Sequence, residues 1–315
     1  MKAASMTNSH RHLTSFYALT FLLLGAIPLL HGALFSGPMD FTAAATQASN
    51  ITGLDWTSNI LVMLRLCMAE PLLWLVIFGS AVPSLAALLV CARIPTQLHR
   101  LLSSFKLHTP WKAALGDCSR IFLILLAGLV AVAALRMLLP AAGYTLRLPV
   151  FGPELLLALA GAAFLDQGAV LEELGWRGFA QLQLQDGGTS PLSAAIIVGI
   201  GWGLWHLPRD VTTGVIGRLG VFDYAALYLP SFLGGTIGIS IIAAYFVNRA
   251  NGCIIPAIMV HGLSNDSLGI SGTAAMEQML TPYHQATKAI PFALIAIAIV
   301  VIAGRDLGRT GKNAG

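Results

Sequence analysis

Val170-Leu171-Glu172-Glu173-Leu174-Gly175-Trp176-Arg177-Gly178, VLEELGWRG, continues an apolar run that opens at Pro153 as PELLLALAGAAFLDQGA. The chain of 315 residues holds five glutamates, and two of them stand side by side here. An ionised side chain at the centre of a membrane helix costs on the order of 2.5–3.5 kcal/mol on insertion scales. Two adjacent carboxylates in such a place therefore point to function. Neighbouring residues on a helix point about 100° apart, so the two glutamates face different partners. Glu173 and Arg177 are spaced i,i+4 and can pair, which leaves Glu172 free to act.

The surrounding composition agrees. The chain is 56% hydrophobic and 10% charged, against about 25% charged in an ordinary soluble domain. That is the balance of a polytopic membrane protein. Measured against the roughly 20 residues a bilayer needs, apolar runs fall near 14–35, 70–92, 119–139, 153–180, 190–208, 224–247, 252–270 and 289–304. The expected fold is an all-α bundle of about eight transmembrane helices. The first run is expected to be an uncleaved helix. Its division is expected as N-terminal helices over 1–150, a helical core carrying the chemistry over 151–304, and a tail at 305–315. The stretch ILVMLRLCMAE, Ile60 to Glu70, has no assigned role.

The net charge is +4, but Lys and Arg form short clusters between apolar runs, as at a cytoplasmic membrane face, which argues against nucleic acid. Twelve of the eighteen Lys and Arg, among them Lys2, Arg11, Arg100, Arg177, Arg249 and Arg309, fall inside if the N-terminus is cytoplasmic. Both termini are then expected in the cytoplasm. The basic connector 93–118 would lie on anionic lipid heads. Cys67, Cys91, Cys118 and Cys253 form no CxxC pair and read as small core residues. Gly199-x-x-x-Gly203 and Gly234-x-x-x-Gly238 read as close helix packing.

Two further polar intrusions follow. Trp202 and His206, in WGLWHLP, share one helix face, and so do His261 and Asn265, in HGLSN. A helical hairpin turning at Asp186-Gly187-Gly188 puts Glu172 roughly 24 Å before the turn and His206 roughly 27 Å after it, at similar depth. Asp166, Asp266 and Arg209-Asp210 read as local charge partners. Trp176, Trp202 and Trp205 read as packing or interface-belt residues. The histidines outside these motifs carry no assigned chemistry.

The ordered trio of Glu-Glu-x-x-x-Arg at 172–177, aromatic-x-x-x-His at 202–206 and His-x-x-x-Asn at 261–265, with EELGWRG and WHLP around it, resembles the CPBP intramembrane protease family. That family includes CAAX prenyl endopeptidases and bacterial Abi proteins of bacteriocin processing and self-immunity. Trp202 stands where the family pattern usually has Phe. The resemblance covers about 170–270 and implies an intramembrane endopeptidase of the bacterial plasma membrane, acting on a hydrophobic or lipid-modified peptide or membrane protein. It implies that Glu172 with His206 activates a water as general base, that His261 and Asn265 hold the oxyanion, and that Glu173 and Arg177 support the helix. Zn2+ or another divalent metal on Glu172, His206 and His261 and a metal-free glutamate mechanism both stay open. The competing readings are a catalytically idle member serving as an immunity or scaffold protein, and a proton-relay transporter. The transporter would require distributed acids and repeat symmetry, and neither is seen.

Overall fold

The computed structural model describes residues 2–37, 39–141, 152–272 and 279–309. The helices follow one another as α1 (Lys2–Gly25), α2 (Ile27–Leu34), α3 (Phe41–Thr52), α4 (Ile60–Ala69), α5 (Trp74–Cys91), α6 (Pro95–Ser103) and α7 (Trp111–Leu138). Then come α8 (Leu155–Phe164), α9 (Gln167–Glu173), α10 (Leu182–Asp186), α11 (Pro191–Trp205), α12 (Leu207–Thr212), α13 (Val215–Leu219), α14 (Val221–Asp223), α15 (Leu229–Arg249), α16 (Ile255–Ser264) and α17 (Pro282–Ala303). Wide π-helical turns at Leu174–Gln181 and Tyr224–Tyr228 join α9 to α10 and α14 to α15. Among the described residues there is no strand, only a single antiparallel bridge between Asn59 and Asp166. The chain is a polytopic all-α membrane protein.

All eight expected apolar runs fall on helices, and six helical stretches among the described residues are long and apolar enough to cross a bilayer. The other two runs depart from a single long helix for local reasons. The 153–180 run breaks at Leu165-Asp166, where Asp166 leaves the helical conformation and its Oδ1 accepts from the backbone N–H of Ala169 at 2.9 Å, capping α9. The 252–270 run is helical only over Ile255–Ser264. Beyond it Asp266 takes a left-handed φ of 56°, and its carboxylate accepts from the backbone N–H groups of Ile270 and Ser271 at 2.8 and 2.9 Å. Residues 60–69 of that stretch form α4, capped by Asn59, whose Oδ1 accepts from the Leu61 N–H at 2.9 Å.

The bundle has two distinct ends. At one, Asp186 pairs with Arg100 and with Arg309, the latter at 3.0 Å. There Ile254 N–H donates to the Ser104 carbonyl at 2.8 Å, and Arg249 pairs with Asp117 at 2.9 Å. The basic connector, the 186–190 turn, the 250–254 turn and the segment after α17 therefore meet at this end. The connector is partly helical, as α6 and the first turns of α7. At the other end, the buried Arg136 guanidinium donates to the Ser271 carbonyl at 2.9 Å and to Thr287 Oγ1 at 3.0 Å. Tyr283 Oη donates to the Leu139 carbonyl at 2.8 Å, closing the same end.

Glycine lets the helices approach closely, as the Gly-x-x-x-Gly spacings imply. A Cβ at Gly199 would lie 2.8 Å from Ile237 Cα, and one at Gly203 would lie 2.5 Å from Leu233 Cδ2, so α11 rests directly on α15. The contact at Gly175 is tighter still, 2.4 Å from the Pro83 carbonyl in α5. Cys67, Cys91 and Cys253 are buried free thiols and Cys118 is partly buried, in line with their reading as core residues. Gly175→Ala is expected to cost about 2–3 kcal/mol, because backbone on both sides must move. Gly116→Ala in α7, where no atom lies within 4 Å of the new methyl, should raise stability by about 0.5–1 kcal/mol. Thermal unfolding of the two variants in detergent checks the contrast.

Candidate active site

The site lies between α9, α11 and α16, with α8 behind it. Glu173 is fully buried, and its Oε1 accepts from Arg177 Nη1 at 2.7 Å and from His261 Nδ1 at 2.8 Å. The i,i+4 pair read from the sequence is therefore present, and it also reaches across to α16. Arg177 is wholly buried in the core, so its charge does not belong with the cytoplasmic cations among which the sequence placed it. Its Nε and Nη2, and Glu173 Oε2, have no hydrogen-bond partner. Part of the guanidinium's compensation comes from the face of the Trp202 ring, whose centroid is 4.9 Å from Arg177 Cζ.

Glu172 points elsewhere, as the 100° offset requires. Its Oε2 accepts from Trp202 Nε1 at 2.8 Å. Its Oε1 faces Gly168: a Cβ placed there would lie 3.1 Å from Glu172 Oε1, 3.3 Å from His261 Nε2 and 3.4 Å from Asp166 Oδ1. Three polar atoms from two helices and a cap thus converge on a position where the chain has no side chain. With Nδ1 of His261 donating to the Glu173 carboxylate, the neutral form of the ring would present its lone pair at Nε2 toward this cradle.

Trp202 sits at the centre of the cluster, with its ring edge against His261 at a centroid distance of 4.7 Å. The sequence reading treated it as packing and missed the indole donor. His206 shares its helix face with ring centroids 6.0 Å apart, but does not reach Glu172. Its Nδ1 donates to the Trp202 carbonyl at 2.8 Å, and its ring packs on Trp205 and Phe232. The hairpin is offset by one turn from the expected register, since Trp202 rather than His206 meets Glu172. The wide π-turn at 174–181 accounts for the offset, because it packs more residues into each unit of axial length than an α-helix does.

Asn265 Nδ2 donates to Asp166 Oδ1 at 3.0 Å, which draws Asp166 into the site. Asp166 is fully buried and its Oδ2 is unpaired. Beside it a cavity of about 260 Å³ is lined by Thr57, Ser58, Asn59, Ser267 and Leu268 among others. The signal for Asp166 was present in the sequence as an acid-x-Gly interrupting an apolar run, a capping pattern that reads as a local charge partner. The expected metal ligands Glu172, His206 and His261 do not gather. Among the described residues no three His, Cys, Asp or Glu side chains are placed to hold an ion.

The profile of the Type II CAAX prenyl endopeptidase Rce1-like family matches residues 152–266, which contain every one of these groups. A CAAX prenyl protease 2 from Methanococcus maripaludis is 32% identical over 154 residues, covering 48% of this chain and 50% of that protein. The chain therefore spans about half the length of this curated relative. The resemblance carried by the three motifs is borne out.

The three indoles near the site separate packing from hydrogen bonding. Trp176 Nε1 and Trp205 Nε1 have no partner, whereas Trp202 Nε1 has a carboxylate. Trp202→Phe keeps an aromatic ring but removes the donor and shrinks the side chain, and the lost hydrogen bond to a charged group should lower stability by about 1.5–3 kcal/mol beyond the effect of the smaller ring. Trp205→Phe makes the same change of ring size with no donor to lose, so it should cost less than Trp202→Phe by about that amount. Melting curves of the two variants in detergent compare them directly.

Proposed function

We propose that the chain is an intramembrane endopeptidase cleaving a hydrophobic or lipid-modified peptide or membrane protein, a reading supported by the match of residues 152–266 to the Rce1-like family and by the archaeal relative. The observation that carries this reading is the convergence of Glu172 Oε1 and His261 Nε2 over the bare Cα of Gly168. A water bridging these two atoms would lie between a carboxylate oxygen and an imidazole nitrogen.

In this mechanism Glu172 takes the proton of that water as its oxygen attacks the scissile carbonyl carbon. The same proton then passes from Glu172 to the departing amine. Trp202 holds Oε2, so that Oε1 is the oxygen that exchanges the proton. Glu173, with Arg177 behind it, holds the His261 ring so that Nε2 orients the water. Asn265 uses one amide hydrogen on Asp166 and keeps the second for the oxyanion of the tetrahedral intermediate. His206, anchored through Nδ1 and only partly buried, turns its Nε2 to the substrate as it docks. The membrane around the site keeps competing water out, which strengthens each of these interactions. The name of the archaeal relative suggests prenylated C-termini as one substrate type to be tested, alongside unmodified hydrophobic peptides.

The test is cleavage of prenylated and unmodified hydrophobic peptides by the reconstituted full chain. Glu172→Gln is expected to lower kcat by at least about 10³-fold, and Asn265→Ala by about 10²–10³-fold, the loss typical of one oxyanion donor. Both variants must first be shown to fold. If Glu172→Gln cleaves at the wild-type rate, the general-base assignment is wrong. Loss of activity in a chelator with recovery on added zinc would call for an ion in the mechanism. A wild type that cleaves nothing, while Glu172→Gln still supports the cellular role of the protein, would establish the idle immunity or scaffold reading instead.

A further inference from the structure

The end of the bundle tied together by Asp186 holds a second cavity, of about 170 Å³. Its walls come from four separate segments: Arg100 and Ser103 on α6, Gln185 on α10, Asn248 at the end of α15, and Arg309 after α17. None of the groups around Glu172 lines it. Asp186 pairs with both Arg100 and Arg309, so one carboxylate faces two guanidiniums and a positive charge is left over. The Arg309 side chain is only 19% exposed, which draws that charge partly inside the protein. A charge so placed calls for an anion.

Gln185 supplies an independent sign of a ligand. It is 5% exposed, and neither its Nε2 nor its Oε1 has a hydrogen-bond partner. A buried amide without a partner is costly unless something from outside completes it. Because Gln185 lines the cavity together with the two arginines, an oxygen-rich anion there would accept from its Nε2. The connector that supplies Ser103 also leaves Leu102, Phe105, Leu107 and Trp111 exposed. Exposed apolar side chains next to a basic pocket let acyl chains lie along a protein while their headgroup enters it.

We propose that this cavity binds a phosphate group. Arg100 and Arg309 each keep guanidinium N–H groups beyond the one given to Asp186, and these meet the phosphate oxygens, with the Gln185 amide donating alongside. The exposed apolar residues of the connector favour the headgroup of an anionic phospholipid as the source of that phosphate over the free ion. A headgroup so placed bridges α6, α10, α15 and the segment after α17. It binds the folded chain alone, so stability rises with its concentration. The proposal does not depend on the endopeptidase reading.

The test titrates the full chain, freed of lipid in detergent, with dioleoylphosphatidylglycerol or with inorganic phosphate, and follows native mass spectra and thermal unfolding. The wild type is expected to retain a single lipid and to melt higher with it. Gln185→Leu removes an amide that no protein group uses, so without lipid it should melt no lower than the wild type. Its affinity for the lipid should nevertheless fall at least about fivefold, and that of Arg309→Gln at least about tenfold, the loss of a charge-assisted contact. Arg305→Gln makes the same change of charge at an exposed position of the same end, outside the cavity, and should bind within about twofold of the wild type. Equal weakening by Arg305→Gln would mean diffuse attraction to surface charge and overturns the proposal. So does a wild type that binds neither ligand, or lipid binding that Gln185→Leu and Arg309→Gln leave unchanged. Protection by inorganic phosphate and not by the lipid, lost in the same two variants, supports the site and makes the free ion its ligand. Arg309→Gln also gives up the pair with Asp186; if it fails to fold, Gln185→Leu decides alone.

Discussion

One carboxylate oxygen holds the site together. Glu173 Oε1 accepts from Arg177 one turn along its own helix and from His261 on another. A buried charge is tolerated only when it is paired and hydrogen-bonded, and removing one partner of such a pair typically costs 3–5 kcal/mol. The arrangement is therefore all or nothing: Arg177 without Glu173 would be an isolated cation in the core, and His261 without it would lose its orientation. Trp202 completes the set by placing its ring face on Arg177 and its N–H on Glu172. A strong electrostatic need at one residue thus fixes the geometry of the neighbouring carboxylate.

What lies within one helix was legible in the sequence. The i,i+4 spacings predicted the Glu173–Arg177 pair and the shared face of Trp202 and His206, because 3.6 residues per turn leaves no freedom in the matter. The separation of roles between two adjacent glutamates followed from the same geometry. What passes between helices was not legible. The depth argument assumed a uniform rise of 1.5 Å per residue, and the π-turn at 174–181 shifted the register by one turn. The indole donor of Trp202 and the place of Asp166 depend on that register and on the break at Leu165, and no periodicity encodes either.

The break at Leu165 also explains why the first half of the chain matters to the second. A helix that stops inside an apolar bundle leaves backbone groups without partners, and in hydrocarbon each such group is costly. Here the Ile60 N–H donates to the Leu165 carbonyl at 2.7 Å, and the Gln167 N–H donates to the Ser58 carbonyl at 2.6 Å. The segment before α4 therefore supplies the hydrogen bonds that α8 and α9 forgo by separating. The gap those helices leave is what lets Asp166 turn toward Asn265.

Gly168 is the one position in the cluster whose contribution is empty space. Glu172 Oε1, His261 Nε2 and Asp166 Oδ1 approach one another as they do because Gly168 puts no side chain between them. A single methyl there would press on all three, at 3.1, 3.3 and 3.4 Å, and push them apart by a few tenths of an ångström. The position is thus the point at which adding one carbon alters the spacing of the whole cluster while removing none of its polar groups.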